Sequence, residues 1–517
     1  MKTLHKLGLI NIVVLGVIAL ITPHEWYYLI LTTAQLVFVP IVLASIGQSS
    51  KIVIWIAMLA YLSVILIQVT PDTHWHAFLA AVYLLYTILI AFKGFNRFLH
   101  RGFTHIEEIL IDVAMVFLAI GGIWFLAYEA GINTGFSPII TWLTAIHFHY
   151  AGFLLPIFTG LLGRLGKPKL YKWAAWSVIV AIVLVALGIT FSTTLELLSV
   201  LVYIFAIYSL IGLTFFIKFI GPAQKWLFRI TFIAIGVSII FSLLYAYGNW
   251  SGNSTVTIDF MLKFHGVTNA VLFAGAGTIM TSMFTPKQAD QKSRFPVSEL
   301  RGEFMIGEDF LKGKITSESS VNGLVDHMDI YQLNLAPTIK DFYENTSDYR
   351  LWAKVKWHSW FKPFAAIYKM LSRHTQQINL PLSSKRVEMD GGIHLLKPEL
   401  DSRKRVRAWV RKIKGDTTFV ALYSEHTDGE NTYMNIALPL PWSTMIGILN
   451  LHQHEGRLIL SSEEVGIYLA FREYVMKLPI NERFEVWEIK RGKLKAVHRM
   501  WLFGLPFLKI DYDIERK

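Results

Sequence analysis

His147-Phe148-His149-Tyr150 lies inside the apolar run Thr141-Trp-Leu-Thr-Ala-Ile-His-Phe-His-Tyr-Ala-Gly-Phe-Leu-Leu-Pro-Ile-Phe-Thr-Gly, a stretch that reads as a bilayer-spanning helix. Ionisable side chains are expensive in hydrocarbon unless paired, so two imidazoles there demand a role. Imidazole titrates near neutral pH and is a common ligand of metals and haem. A second polar set occurs in Asp259-Phe-Met-Leu-Lys263-Phe-His265-Gly-Val-Thr-Asn269. His265 and Asn269 share a helix face at i, i+4, and Asp259 and Lys263 can pair at the same spacing. A third set, His105, Glu108 and Asp112, follows i, i+3, i+7 at the inner boundary of its span.

Residues two apart on a helix point about 200° apart, so His147 and His149 face nearly opposite ways and cannot chelate one metal together. His149 continues into a stripe of Gly152, Pro156, Gly160 and Gly163, small residues that let another helix approach. His147 shares its face with Thr144 and Ala151. Both histidines fall near mid-bilayer, and His265 lies within one or two turns of that depth.

Three kinds of chemistry fit these residues, beside the plainer use of imidazoles as interhelical hydrogen-bonding groups. In a transporter-like protein, His147, His149, Thr144, His265 and Asn269 form an intramembrane site for protons or a small polar substrate. Asp259 and Lys263 would then stand at its outer mouth, with His105, Glu108 and Asp112 at an inner exit, unless that trio is an interfacial ion pair. In a haem- or metal-binding membrane protein, His149 and His265 would be the ligands. In the third, the membrane region tethers a lipid-binding module. His24, His74 and His76 fall in loops and read as solvated.

The elements that must carry these groups follow from charge and hydropathy. Of 517 residues, 1–285 hold 14 Lys and Arg and 8 Asp and Glu, while 286–517 hold 35 and 29. The chain therefore divides into a membrane domain (1–285), a polar linker (286–304) and a water-soluble domain (305–517). There is no cysteine, which excludes disulfides, iron–sulfur clusters and thiol catalysis.

Ten runs approach the length a bilayer needs: 7–22, 26–46, 52–70, 75–92, 107–129, 136–163, 172–190, 194–217, 226–247 and 258–284. The first is expected to be an uncleaved helix, since no small-x-small site follows it. Lys and Arg occur in alternate loops, for example Lys93, Arg97 and Arg101, then Arg164, Lys167 and Lys169. The loops at 23–25, 71–74, 131–137, 189–194 and 248–258 have none. That alternation predicts a bacterial inner-membrane protein with both termini in the cytoplasm. The basic residues mark topology; no nucleic-acid reading motif accompanies them.

His-Phe-His-Tyr is similar to a motif of haem-copper oxidase catalytic subunits, in which two histidines of one helix ligate two haems. The rest of that pattern is missing: there is no His-Pro-Glu-Val-Tyr segment and no His-His pair, so a terminal oxidase is excluded. The whole chain resembles the bacterial YndJ-like membrane family. Its His147-Phe-His-Tyr-Ala-Gly-Phe segment, its His265-Gly-Val-Thr-Asn-Ala-Val-Leu-Phe segment and its β-rich tail carry that resemblance. The resemblance implies a polytopic architecture and, for some members, a transporter label without a substrate.

In the soluble part, helical stretches at 336–345 and 360–377 precede a period-two pattern from about residue 386. Strands are expected at 405–411, 417–423, 433–438, 457–461, 466–472, 482–489, 494–501 and 508–513, with turns at Gly391-Gly392, Asp428-Gly429, Glu455-Gly456 and Arg491-Gly492. This predicts an α+β domain whose mainly antiparallel sheet curls into a barrel or cup. Trp352, Trp357, Trp360, Trp409, Trp442, Trp487 and Trp501 would pack its core or line a cavity for an apolar ligand. His452-Gln-His454 reads as a solvated hairpin end. No Walker loop, nucleophile elbow or dinucleotide glycine pattern is present, which gives an enzymatic reading no support.

Overall fold

The computed structural model describes residues 3–22, 25–71, 73–253, 256–288, 295–316 and 321–517. They form two compact units, residues 1–98 with 105–290 and residues 99–104 with 291–517.

The described part of the first unit contains ten helices long and apolar enough to cross a membrane. They are α1 (Thr3–Ile21), α2 (Trp26–Ser45), α3 (Lys51–Val69), α4 (Trp75–Leu99), α5 (Ile106–Glu129), α6 (Pro138–Leu165), α7 (Lys169–Phe191), α8 (Thr193–Phe216), α9 (Pro222–Ser251) and α10 (Ile258–Phe284). Helices α2 and α6 are the most enclosed by the others. Between α7 and α8 the turn is reduced to Ser192, whose extended backbone and hydroxyl cap the first turn of α8 by accepting from the Leu195 N–H at 3.4 Å. Gly188 permits this turn: a Cβ there would lie 2.5 Å from Glu196 Cα.

Three helices contain widened π turns: Ala34–Phe38 in α2, Phe148–Leu154 in α6, and Met261–Gly266 with Asn269–Ala274 in α10. In α2 and α6 a proline stands two residues after the π turn, Pro40 and Pro156. Proline has no N–H and crowds the carbonyl four residues back, and a wider turn relieves both. Such turns are rare and recur at functional sites. The small stripe of α6 receives α5 and α7: a Cβ on Gly160 would meet the Glu107 carbonyl at 2.5 Å, and one on Gly163 would strike the Tyr171 ring.

The second unit is built on twelve antiparallel strands among the described residues. They are β1 (Tyr349–Trp357), β2 (Arg386–Met389), β3 (Ile393–Leu395), β4 (Lys404–Ile413), β5 (Asp416–Asp428), β6 (Asn431–Leu440), β7 (Ser443–His454), β8 (Arg457–Phe471), β9 (Tyr474–Lys477), β10 (Ile480–Lys490), β11 (Lys493–Leu502) and β12 (Leu505–Arg516). Their order is β2-β1-β12-β11-β10-β8-β7-β6-β5-β4-β3, with β9 paired to β8. The sheet is not closed, so the cup form of the expectation holds and the barrel form does not. Residues 386–395 nevertheless reach both ends, pairing with β1 through β2 and with β4 through β3.

The sheet begins at Tyr349, ahead of the expected boundary near 386. The expected strands 457–461 and 466–472 are one strand, β8, with a register shift opposite Ile448–Asn450. Helices α11 (Pro337–Glu344) and α12 (Lys362–Thr375) occupy the two predicted helical stretches.

On β4 the alternation is real, and its apolar side faces away from the cup interior. Val406, Ala408 and Val410 pack with Phe295, Leu300, Ile306 and Phe310 of the segment covering the outer face. Trp409 and Arg411 point inward. That covering segment is pinned where Ser298 Oγ donates to Asp401 at 2.7 Å, beside a fully buried Arg403–Asp401 pair at 2.9 Å. A buried pair of this kind fixes position more than it adds stability.

Candidate functional site

Six helices of the first unit surround a cavity of about 410 Å³, lined by residues of α2, α6, α7, α8, α9 and α10. Its walls are mainly Ile, Leu and Val, and its polar groups include Thr144, His147, Glu196, Asn249, His265 and Asn269. Every helix with a π turn contributes to the lining. A membrane cavity with a few convergent polar groups is the usual form of a small-molecule site.

His265 sits in a closed hydrogen-bond circuit. Its Nδ1–H donates to the Ser238 carbonyl at 2.9 Å, since a carbonyl can only accept. Nε2 then accepts from Asn269 Nδ2 at 3.1 Å, and Asn269 Oδ1 accepts from Ser238 Oγ at 2.7 Å. The i, i+4 relation of His265 and Asn269 holds across the π turn, and the two side chains touch. His147 donates from Nδ1 to the Leu143 carbonyl at 2.8 Å and presents the rest of its ring to the cavity. Thr144 lines the same wall, its hydroxyl donating to Ile140 O at 2.8 Å.

His149 belongs elsewhere. It is fully buried, it does not line the cavity, and both ring nitrogens are engaged. Nδ1–H donates to Ala145 O at 2.8 Å, and Nε2 accepts from the Tyr83 hydroxyl at 2.8 Å. The ring packs so closely on α5 that a Cβ on Gly121 would lie 2.8 Å from Nδ1. The opposite-face geometry of His147 and His149 therefore divides them between a cavity and a packed helix contact. With the ring nitrogens of His149 and His265 both occupied, this pair does not fit haem or a metal as shared axial ligands.

Asp259 and Lys263 pair with each other at 2.9 Å and Lys263 lies over the Tyr27 ring, but neither lines the cavity. The inner trio separates. Glu108 is held by Arg97 at 3.0 Å and Arg164 at 2.6 Å, and Asp112 by Arg97 at 3.0 Å. His105 faces Glu107 at 3.6 Å, and Lys167 completes that second pair at 2.7 Å. His76, expected in a loop, lies in the first turn of α4 and is buried between Thr70 at 3.0 Å and Glu129 at 3.6 Å, contrary to the solvated reading. His24 lies outside the described residues.

Glu196 is a lining residue that sequence reasoning missed. It is 8% exposed, accepts from Asn249 Nδ2 at 3.2 Å, and among the described residues is the one Asp, Glu, Lys or Arg in the cavity wall. Its signal was available, since only 8 acidic residues occur before residue 286. One turn into α8, however, a carboxylate reads as a partner of the helix dipole.

The cup of the second unit encloses a smaller cavity, about 140 Å³, lined mostly by Leu, Ile, Met and Phe. Of the seven tryptophans singled out above, Trp409 alone lines it. Its polar members include Arg411, Tyr423, Tyr512 and a Glu482–His498 pair at 3.0 Å. Arg411 stacks on Trp409 and Phe419, and burial pushes the Tyr423 hydroxyl up to about 12. His454 stands exposed beside Glu455 at the β7–β8 turn.

Ten apolar helices followed by a sheet domain define a multi-pass membrane protein with an appended α+β domain. The sequence profile described as YndJ-like protein matches residues 29–273. The chain is also 38% identical over 454 residues to a Bacillus subtilis (strain 168) protein named "Uncharacterized membrane protein YndJ", covering 84% of this chain and 83% of that one. The chain belongs to the YndJ-like family. No solved structure matches it.

Proposed function

We propose that the protein is transporter-like and that the six-helix cavity is its site for protons or a small polar substrate. The observation carrying this reading is the cavity itself, which gathers His147, Thr144, His265 and Asn269 from two separate sequence motifs. The His265 circuit can accept a proton without breaking. If the Asn269 amide turns over, its oxygen accepts from a protonated Nε2, while Ser238 Oγ can donate to Ile235 O at 3.2 Å. Alternate-loop charge supports an inner-membrane orientation with cytoplasmic termini, which puts the helix ends bearing Ile189, Thr193, Asn249 and Ile258 of the lining toward the outside.

The test is proton flux in proteoliposomes of the full chain, read with an internal pH dye under an imposed gradient. His265→Phe and His147→Phe are expected to abolish flux while tryptophan-monitored melting stays intact. Equal flux in wild type and both variants would sink the idea.

The cup cavity supports a second, independent role, binding of a small apolar ligand in the soluble domain. Its volume is close to the roughly 150 Å³ that suffices for a benzene-sized guest. Met445→Trp would fill it, and an apolar fluorescent reporter should then lose its Trp409-sensitised signal; an unchanged signal removes this role.

A further inference from the structure

The six-helix cavity is chemically asymmetric. Among the described residues its wall carries one carboxylate side chain, Glu196, and no Lys or Arg. Burying a carboxylate in a low-dielectric region is costly unless an opposite charge or a proton offsets it. The hydrogen-bond partner of Glu196 in the wall is the neutral amide of Asn249, with contacts at 3.2 and 3.4 Å.

A second observation concerns the aromatic lining. Tyr203 is 7% exposed, lines the cavity, and its hydroxyl has no hydrogen-bond partner among the described residues. The hydroxyl oxygen is itself inaccessible, so Tyr203 meets the cavity through its ring. Glu196 and Tyr203 are i, i+7 on α8, so both project from one face, two turns apart, with Val200 between them. The rest of the wall is largely aliphatic, with Tyr150, Tyr245 and Phe273 adding aromatic rings and His147, His265 and Asn269 the main further polar groups. Aromatic faces attract cations and repel anions.

We propose that this cavity takes a small organic cation with an apolar body, its charge facing Glu196 and its body against the aliphatic wall. The inference rests on reading the cavity as a substrate site and names the class of substrate. A carboxylate without a resident cation selects against anions, and the apolar walls select against fully hydrated metal cations.

The experiment is calorimetric titration of the full chain in nanodiscs with three probes that share one ring: benzyltrimethylammonium, benzyl alcohol and benzoate. The cation should bind at least tenfold tighter than the other two. Glu196→Gln keeps an oxygen for the Asn249 N–H and should erase that preference, and Glu196→Asp should restore part of it. Asn249→Lys offers an independent check: an ammonium placed beside Glu196 satisfies the carboxylate from within, and the cation preference should again disappear.

Equal binding of the three probes by wild type, or a cation preference that survives Glu196→Gln or Asn249→Lys, overturns the proposal. Flux that still depends on His265 would, in that case, leave the transport reading standing while the cation assignment falls. A Glu196-dependent cation preference without any flux would do the reverse.

Discussion

Asn269 Nδ2 donates to Nε2 of His265 at 3.1 Å, and this contact sets the protonation form of one of the two histidines in the cavity wall. Because Nδ1–H is committed to the Ser238 carbonyl, Nε2 is the position where a proton can arrive or leave. Asn269→Asp replaces the donor with a carboxylate that can only accept, which favours a proton on Nε2. The variant should hold His265 as imidazolium, visible in its ring ¹⁵N shifts. Proton flux should fall roughly tenfold, about the effect of one charge-assisted hydrogen bond. Wild-type shifts and flux in this variant would refute the assignment.

His149 should behave as a structural residue, despite belonging to the motif that first draws attention. Tyr83→Phe leaves Nε2 without its donor in a packed contact. Interhelical hydrogen bonds in membranes contribute about 0.6 kcal/mol on average and up to roughly 1.7. Melting followed by tryptophan fluorescence should therefore drop slightly, with flux unchanged. Gly121→Ala should cost more, because its methyl would sit 2.8 Å from the His149 ring. Loss of flux in Tyr83→Phe at full stability would place His149 in the mechanism after all.

The inner cluster is predicted to hold the helices together. Glu108 receives guanidinium groups from α4 and α6 at once, Arg97 and Arg164, and all three are largely buried. Removing one member of a buried ion network strands the others, at a typical loss of about 3–5 kcal/mol. Arg164→Met should thus lower the melting temperature far more than Lys167→Met, whose side chain is half exposed. Equal shifts in the two variants would contradict the argument.

Much of this was legible because the physics was local. A bilayer imposes runs of about 20 apolar residues, and basic loops alternate with loops that lack Lys and Arg, so ten spans could be counted directly. The opposed directions of His147 and His149 followed from helix geometry alone. Partners that depend on packing were hidden. Nothing near His149 in sequence announces Tyr83, 66 residues away, and nothing near Glu196 announces Asn249, 53 residues away. In the sheet, β7 was missed because Thr444-Met-Ile-Gly-Ile-Leu-Asn-Leu is buried on both faces, which removes the alternation that marks a strand. For the same reason the alternating face of β4 could be recognised while its direction could not.

The sheet domain should lose stability on mild acidification through His426. Its Nδ1–H donates to Asn435 Oδ1 at 2.8 Å, the ring stacks on Tyr433, and burial lowers its pKa below the ordinary 6.5. Folding therefore favours the neutral ring. The associated stability is complete above about pH 6.5 and is lost as pH falls below that value toward the folded-state pKa. Neighbouring Glu425 has its pKa raised by burial and acts in the opposite sense: its contribution is present at low pH and declines as pH rises through its folded-state value. Because Glu425 is common to wild type and variant, a comparison with His426→Gln isolates the histidine. The melting-temperature gap between them should narrow from pH 7.5 to pH 5.5, and a gap that stays constant or widens would show that His426 does not titrate differently on folding.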